Sequence, residues 1–327
     1  MTHSSSVGSP VQGLLAALAT ITMWTAFIVV AKASTHHTLS AYDIIFMRYL
    51  GASAVLLPWW WWRKRQNPSL PKGSLGGLSP PPLKVTVMAG FFGSFMYCML
   101  AYTGFFFAPA THASVLMPGS LPLWTALLAI LFLGERLNAW RWIGLLMILI
   151  GDLMVGGASL LHAFEGGTVW VGDLLYIGSA ISWACYSVIA RKHQLDAVNA
   201  TTAITAFTFA TYVPVYAIGA YSGLINSHLG QAPWFEWLFQ SLMQGVGSVV
   251  ISGITYTLML KHYGPVKSTM MTSVVPPLSA LCVVWFLGEA FTWNLAVGLA
   301  MVTGGILVGV AYQWLASQAK AMRSNRS

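Results

Sequence analysis

Two ionisable side chains stand inside long apolar stretches of the sequence, where a charge is unfavourable. Arg48 lies in the stretch 41–62 and Asp152 in the stretch 138–157. A charge with apolar neighbours on both sides must face an oppositely charged partner or a water-filled cavity. We predict that Arg48 binds an anionic group such as a carboxylate, with a structural ion pair as the alternative. Asp152 is interpreted as a proton carrier, a partner of Arg48 or a structural polar contact.

His112, which opens the apolar stretch 111–134, is the third candidate for chemistry. Histidine exchanges a proton near neutral pH and also binds ligands, while an interfacial hydrogen bond is the alternative interpretation. No second ligand stands at metal-binding spacing. The three cysteines, Cys98, Cys185 and Cys282, are far apart within apolar stretches and are interpreted as buried small hydrophobes. We therefore expect neither a metal nor a cofactor.

Motifs of catalysis and of nucleotide hydrolysis are absent from the sequence. H-E-x-x-H, G-x-S-x-G and G-x-x-x-x-G-K-[ST] do not occur, and no apolar stretch contains paired aspartates. These absences argue against an enzyme and against an ATP-driven pump.

The composition places the chain in a lipid bilayer. Hydrophobic residues make up 57% of the 327 residues and charged residues only 7%, whereas soluble domains carry about 25% charged residues. The net charge of +8 is spread between apolar stretches rather than clustered on one solvated face, so no nucleic-acid partner is expected. We predict an all-α, multi-pass membrane protein.

Ten apolar stretches reach the roughly 20 residues that a transmembrane helix requires. We call them spans 1 to 10. Their predicted bounds are 12–33, 41–62, 84–105, 111–134, 138–157, 169–190, 200–222, 237–260, 266–288 and 293–315.

The second half of the chain repeats the first. Phe132-Leu133-Gly134-Glu135 recurs as Phe286-Leu287-Gly288-Glu289. At the same offset Tyr102 matches Tyr256, Pro122 matches Pro276, Gly144 matches Gly298 and Gly151 matches Gly305. Duplication on this scale is typical of transporters built from two units. The predicted organisation is a polar tail 1–10, a five-helix repeat 11–157, a linker 158–168, a second five-helix repeat 169–315 and a basic tail 316–327.

The lysines and arginines predict how the repeats lie in the membrane. Arg48 lies inside a span. Of the remaining lysines and arginines, Lys32 lies on one side of the membrane and all the others lie on the opposite side. Cytoplasmic loops carry an excess of such residues. We therefore expect both termini in the cytoplasm. Because each repeat has five spans, the second repeat then enters the membrane inverted relative to the first.

At these residues the chain resembles the EamA family of the drug/metabolite transporter superfamily. The resemblance rests on Trp24 and Trp183, on Met47-Arg48-Tyr49, on the Pro and Gly-Glu of spans 4 and 9, and on Gly-rich spans 5 and 10. It implies a ten-helix bundle whose central cavity is lined mainly by spans 1, 3, 4, 6, 8 and 9. It also implies transport of amino acids, other metabolites or drugs, often outward and often against protons.

Aromatic and proline residues supply the remaining candidates for the cavity. Depth or repeat position predicts six substrate-binding aromatics besides Arg48 and His112, namely Trp24, Tyr102, Trp124, Trp183, Tyr186 and Tyr256. Lipid contact or core packing is the alternative for each. Four prolines within spans 4 and 9 predict helix kinks that permit gating, namely Pro118, Pro122, Pro276 and Pro277.

Three carboxylates at the ends of spans are interpreted as structural caps. Glu135 and Glu289 follow a glycine at hairpin turns, and Asp173 stands near the start of span 6. A carboxylate beside a helix N-terminus accepts backbone N–H groups and meets the positive end of the dipole. Gating by alternating salt bridges is the second interpretation of the two glutamates.

Together these features predict a secondary active transporter of the inner membrane. We expect a proton-coupled exporter of amino acids or similar small metabolites that works by alternating access. A drug, nucleoside or lipid-linked sugar exporter on the same fold is the first alternative, and a membrane-embedded sensor or scaffold is the second. Gly305-x-x-x-Gly309 in span 10 could mediate helix packing or homodimer formation.

Overall fold

The computed structural model describes residues 10–67, 73–162 and 167–324, and this part of the chain is helical without a named strand. It contains ten helices long and apolar enough to cross a membrane, which confirms the ten predicted spans. The spans run over Val11–Ser34, Ala41–Gln66, Leu83–Phe107, Ala110–Leu133, Ala139–Leu161, Val169–Lys192, Ala197–Tyr221, Trp234–Tyr263, Lys267–Leu287 and Trp293–Tyr312.

Several spans contain more than one helical segment. The α-helices are Pro10–Ser34, Ala41–Gln66, Leu83–Gly90, Tyr97–Phe107, Ala110–Leu116, Leu121–Leu133, Ala139–His162, Val169–Lys192, Ala197–Tyr221, Trp234–Gln240, Ser252–Thr272, Val275–Leu287 and Trp293–Ser324. A short 3₁₀ turn, Leu75–Gly77, lies in the loop between spans 2 and 3.

Spans 4 and 9 are each divided into two helical segments near the prolines. In span 4 the first segment ends at Leu116 and the second begins at Leu121, with Pro122 in its first turn. In span 9 the second segment begins at Val275, with Pro276 in its first turn. Proline has no N–H to donate, and in a first turn that N–H has no partner in any case. Pro122 and Pro276 therefore begin new helical segments rather than kink continuous ones.

Spans 3 and 8 carry π-helical segments at matching positions of the two repeats. These segments are Phe91–Met96 and Ser241–Ile251. A π-turn widens the helix locally, is rare, and is found frequently at functional sites. Both segments lie beside the polar residues described in the next section.

Spans 5 and 10 are held together by reciprocal glycine contacts. A Cβ on Gly144 would lie 2.5 Å from the Gly305 carbonyl oxygen, and a Cβ on Gly151 would lie 2.6 Å from that of Gly298. As residue numbers rise along span 5, the numbers of the facing residues in span 10 fall, so the two helices run antiparallel. Because Gly305 faces Gly144, the Gly305-x-x-x-Gly309 motif is used in helix packing within the chain.

The two ends of the bundle differ in charge. The end that carries Lys32, which we call the Lys32 end, also carries Asp43, Asp173 and Glu289. The opposite end, which we call the Arg191 end, carries Arg191 and most other cations.

Asp43 is a buried carboxylate that stabilises the Lys32 end and that the sequence analysis did not identify. Asp43 is fully buried and forms a capping box with Ser40 at the start of span 2. It also accepts hydrogen bonds from the hydroxyl of Tyr216 and from Ser227 (3.0 Å) and the backbone N–H of His228 (3.1 Å). These bonds tie span 2 to span 7 and to the loop that follows it. The Ser40-x-x-Asp43 spacing was the available sequence signal.

Candidate functional site

Arg48 lies in the interior of the bundle and has no carboxylate partner among the described residues. Its side chain is 7% exposed. Nη1 donates to the Gln244 carbonyl oxygen at 3.0 Å and approaches the Tyr102 hydroxyl at 3.5 Å. The guanidinium carbon lies 5.4 Å from the centroid of the Phe27 ring, within the range of a cation–π contact. An ion pair between Arg48 and Asp152, one of the alternatives for these residues, is not formed among the described residues.

The polar groups around Arg48 include two unused donors. Tyr102 donates to Gln244 Oε1 at 2.9 Å, while Gln244 Nε2 and Arg48 Nε are buried without a hydrogen-bond partner. An unsatisfied buried donor loses its hydration without compensation. Both donors are available to an anionic group, and such a group would neutralise the guanidinium. The geometry therefore suits a carboxylate or a similar anion.

Close backbone approach brings Gln244 to Arg48. A Cβ on Gly245 of span 8 would lie 2.7 Å from the Arg48 carbonyl oxygen, and a Cβ on Gly51 of span 2 would collide with the Ser241 carbonyl. Only glycine allows the two backbones to lie this close. Gln244 also falls within the π-helical segment of span 8, where backbone geometry departs from the regular α-helix.

An aromatic group surrounds this polar centre, and we call it the aromatic core. Its ring contacts are Phe27–Tyr102 (5.8 Å between centroids), Phe27–Tyr97 (6.3 Å), Tyr97–Trp183 (4.9 Å), Trp183–Tyr186 (5.1 Å) and Trp24–Tyr256 (5.3 Å). Trp24 and Phe27 lie three residues apart on span 1, so they share one face of that helix. The structure thus joins three of the six predicted aromatics, Tyr102, Trp183 and Tyr186, to Phe27 and Tyr97, which the sequence analysis missed. Trp24 and Tyr256 form a second ring pair one helical turn along span 1 from Phe27.

Trp124 is the predicted aromatic that the structure leaves apart. It lies in the second segment of span 4, and its indole N–H is buried without a hydrogen-bond partner. No ring contact joins it to the aromatic core among the described residues.

The polar centre is closed to solvent in this conformation. A crevice between spans 1 and 8 reaches Phe27 and Gln244, but it is too narrow for a water molecule. A ligand can reach Arg48 only if helices move. The breaks in spans 4 and 9 and the π-helical segments of spans 3 and 8 are the places where the helices depart from regular geometry.

A larger cavity of about 380 Å³ opens at the Lys32 end. Its lining includes one basic residue, one acidic residue and a histidine, namely Lys32, Glu289 and His112. Its remaining walls come from the turn between spans 3 and 4, from the start of span 6 and from the turn after span 9.

His112 lines this cavity and is bound to Asp173. His112 Nδ1 lies 2.8 Å from Asp173 Oδ1, and the Asp173 carboxylate is also bonded to the Ser159 hydroxyl. Asp173 is 2% exposed. The prediction that Asp173 caps its own helix is wrong, because Thr168 is the N-cap residue of span 6 and makes no side-chain cap. The carboxylate instead connects spans 4, 5 and 6, because these helices converge on it.

Glu289 caps a helix, but not the one that follows it. Its carboxylate accepts from the backbone N–H groups of Ala110 (2.8 Å) and Thr111 (2.9 Å) and from the Thr111 hydroxyl (2.9 Å). The expected cap of span 10 is therefore corrected to a cap of span 4, whose N-terminus the tertiary fold brings to the turn after span 9.

Glu135 makes ion pairs instead of a cap. Its carboxylate contacts the Arg191 guanidinium directly and lies 4.0 Å from that of Arg141. The cap prediction for Glu135 is wrong, because two cations at the same end of the bundle compete for the carboxylate. Its ion pair joins the end of span 4 to the end of span 6.

Asp152 is separated from both the aromatic core and the Lys32-end cavity. It is 7% exposed, it lies on the helix packed against span 10, and its Oδ1 has no hydrogen-bond partner. It lines neither the crevice nor the cavity. No group of three or more metal-ligating side chains occurs among the described residues.

The duplicated sequence matches a known family model in both halves. The model of the EamA-like transporter family matches residues 11–157 and 170–310. The chain belongs to the EamA-like transporter family. The resemblance predicted from the sequence is thereby confirmed, and as a member of this family the chain is a membrane transporter.

Relatives that match over half or more of the chain are distant in sequence. The chain is 21% identical over 222 residues to the uncharacterized transporter YyaM of Bacillus subtilis (strain 168), covering 68% of this chain and 71% of that protein. It is 26% identical over 324 residues to a WAT1-related protein of Arabidopsis thaliana, covering 91% and 88%. It is 27% identical over 198 residues to solute carrier family 35 member F6 of Homo sapiens, covering 55% and 53%.

A solved structure shares the fold. A crystal structure with a TM-score of 0.59 and 20% identity covers 91% of this chain and 96% of its own. At this identity the likeness supports the ten-helix architecture alone.

Proposed function

We propose that this EamA-type protein is a secondary active transporter of the inner membrane that exports amino acids or similar small metabolites in exchange for protons. The observation that carries the proposal is the buried guanidinium of Arg48, which has no carboxylate partner and stands beside an unused Gln244 donor and aromatic rings. A buried charge without a partner is unfavourable, so its presence is explained best by a ligand that supplies the opposite charge.

The same site suggests the shape of the substrate. Arg48 Nε and Gln244 Nε2 would bind the carboxylate, and the rings of the aromatic core would contact an apolar or flat body. A compact molecule with one anionic group and an apolar side satisfies both features. An amino acid or an organic acid of similar size is such a molecule.

Many transporters that work by alternating access contain two repeats that lie inverted in the membrane. The glycine contacts between spans 5 and 10 support this arrangement, because two helices at equivalent repeat positions run antiparallel and exchange equivalent contacts. The Arg191 end carries most cations and is proposed to face the cytoplasm, with both termini on that side. The Lys32-end cavity then opens to the outside.

Proton coupling is assigned to the His112–Asp173 pair rather than to Asp152. His112 lines the Lys32-end cavity, which makes it reachable by protons from that side. Asp152 lies outside this cavity, so a structural role suits it better.

The proposal is tested with the purified full-length chain in liposomes. Pooled labelled amino acids and organic acids are supplied with and without an imposed pH gradient, with protein-free liposomes as the control. Gradient-dependent flux of a carboxylate-bearing solute is expected. Flux that ignores the gradient would remove the proton coupling, and the absence of flux of any anionic solute would contradict the substrate assignment.

A flat nucleoside or drug is the second candidate substrate, because the aromatic core offers stacking surfaces that need no anion. The same liposomes supplied with nucleosides and aromatic drugs separate the two candidates. Binding of uncharged aromatics that is unaffected by Arg48→Gln would favour this second substrate class.

A further inference from the structure

Two charge pairs occupy equivalent places in the two repeats. Glu135 at the end of span 4 corresponds to Glu289 at the end of span 9 by the Phe-Leu-Gly-Glu repeat. Arg191 at the end of span 6 corresponds to Lys32 at the end of span 1, because Trp183 and Trp24 precede them at matching distances. Each repeat therefore supplies the acid of one pair and the base of the other, at opposite ends of the bundle.

The pair at the Arg191 end is formed. The Glu135 carboxylate contacts the Arg191 guanidinium and is also near Arg141. This contact joins the end of span 4 in the first repeat to the end of span 6 in the second. It therefore holds the two repeats together at that end.

The pair at the Lys32 end is not formed. Lys32 and Glu289 both line the cavity, and they do not form an ion pair among the described contacts. Lys32 Nζ donates instead to the carbonyl oxygens of Phe105 (2.8 Å) and Ala108 (2.9 Å) at the end of span 3. Glu289 accepts from the N-terminal amides of span 4, as described above. Lys32 thus binds the C-terminal end of span 3, and Glu289 binds the N-terminal end of span 4, on the two sides of the turn that connects these spans. Each charge lies at the helix end that the helix dipole favours.

We propose that these two pairs are alternating latches of the transporter, with Glu135–Arg191 closed and Lys32–Glu289 open in this structure. When the Lys32 end closes, Lys32 and Glu289 pair across the cavity and release the turn between spans 3 and 4. When the Arg191 end opens, Glu135 and Arg191 separate. The inference rests on the proposed alternating access, and it assigns the residues that stabilise each end state. Neither pair contacts Arg48 or the aromatic core in the structure.

The test measures how open the Lys32-end cavity is, without any substrate. The three native cysteines are replaced by alanine, and Val169, which lines the cavity, is replaced by cysteine. The full-length protein is placed in lipid nanodiscs, and the rate of reaction of Val169→Cys with a polar maleimide is recorded. Because no transport is required, failure of the latch and failure of the proposed export activity remain distinguishable.

Breaking the formed pair is expected to close the cavity. Arg191→Gln should slow labelling about threefold, because an exposed ion pair shifts a two-state equilibrium by about that factor. Glu135→Gln should do the same. Lys192→Gln removes the neighbouring exposed cation, which has no ion pair among the described residues, and should leave the rate unchanged.

Two double variants decide between a latch and a local effect. Lys32→Gln added to Arg191→Gln removes the opposing latch and should return the labelling rate towards that of the parent. Exchanging the charges in Glu135→Arg with Arg191→Glu should restore most of the parent rate, and less than all of it because Arg141 lies beside position 135. The inference is overturned if Arg191→Gln labels as fast as Lys192→Gln, or if Lys32→Gln fails to compensate for Arg191→Gln. A single peak in gel filtration is required of each variant, and the charge exchange provides the test if a single variant fails to fold.

Discussion

Replacing Arg48 by glutamine separates a ligand-binding role from a structural one. The substitution removes the hydrogen bond to the Gln244 carbonyl oxygen at 3.0 Å and the cation–π contact with Phe27. It also removes a buried charge that has no carboxylate partner among the described residues. The lost contacts and the relieved burial oppose each other, so we expect the free energy of unfolding to change by less than about 2 kcal/mol.

The effect on ligand binding should be much larger. A carboxylate that loses its charge-assisted hydrogen bond to Arg48 Nε, together with the neutralising charge, would lose about 3 kcal/mol, which corresponds to about a 100-fold higher Kd. Arg48→Lys keeps the charge but lacks the Nε donor and the planar guanidinium, so we expect an increase of about tenfold. Tyr102→Phe removes a hydroxyl bonded to Gln244 and keeps the cation, and it should cost less than either.

The assay is thermal stabilisation of the purified protein by the solutes that the wild-type protein transports in liposomes. The Kd of each variant is obtained by titration, and unfolding without solute gives the stability change. The reasoning is refuted if Arg48→Gln binds an anionic solute with the wild-type Kd. It is also refuted if the variant loses binding only because the protein unfolds, with Arg48→Lys equally unstable.

Three further predictions follow from the packing and the buried polar groups. His112→Ala should abolish the dependence of flux on the pH gradient while Asp152→Asn keeps it, as measured in the same liposomes. Gly305→Ala should destabilise the protein by about 1–3 kcal/mol, because its Cβ would lie 2.5 Å from the Gly144 carbonyl oxygen. The control variant Gly309→Ala should leave the melting temperature unchanged, because its Cβ would meet no atom within 4 Å. Asp43→Asn should lower stability by about 3 kcal/mol, because an amide cannot accept all the bonds that the buried carboxylate receives, and a wild-type melting temperature would contradict this account.

The sequence by itself determined the number of spans, the duplication and the family. These properties follow from local hydropathy and from residues that recur at a fixed offset, and neither requires knowledge of which helices touch. The same local reasoning identified Arg48 as an unusual charge, because a buried cation is unfavourable wherever the helix packs. It also identified five members of the aromatic core from their depth and repeat position.

Only the tertiary structure decided the partners of the polar side chains. Gln244 reaches Arg48 from span 8, far along the chain, because Gly51 and Gly245 let two backbones approach. Glu289 caps a helix of the other repeat. A carboxylate at the end of a span binds whichever donor the fold places beside it. The sequence shows only the donors that are close along the chain. The assignment of Glu135 to Arg191, of Asp173 to His112 and of Glu289 to span 4 therefore depended on how the two repeats pack together.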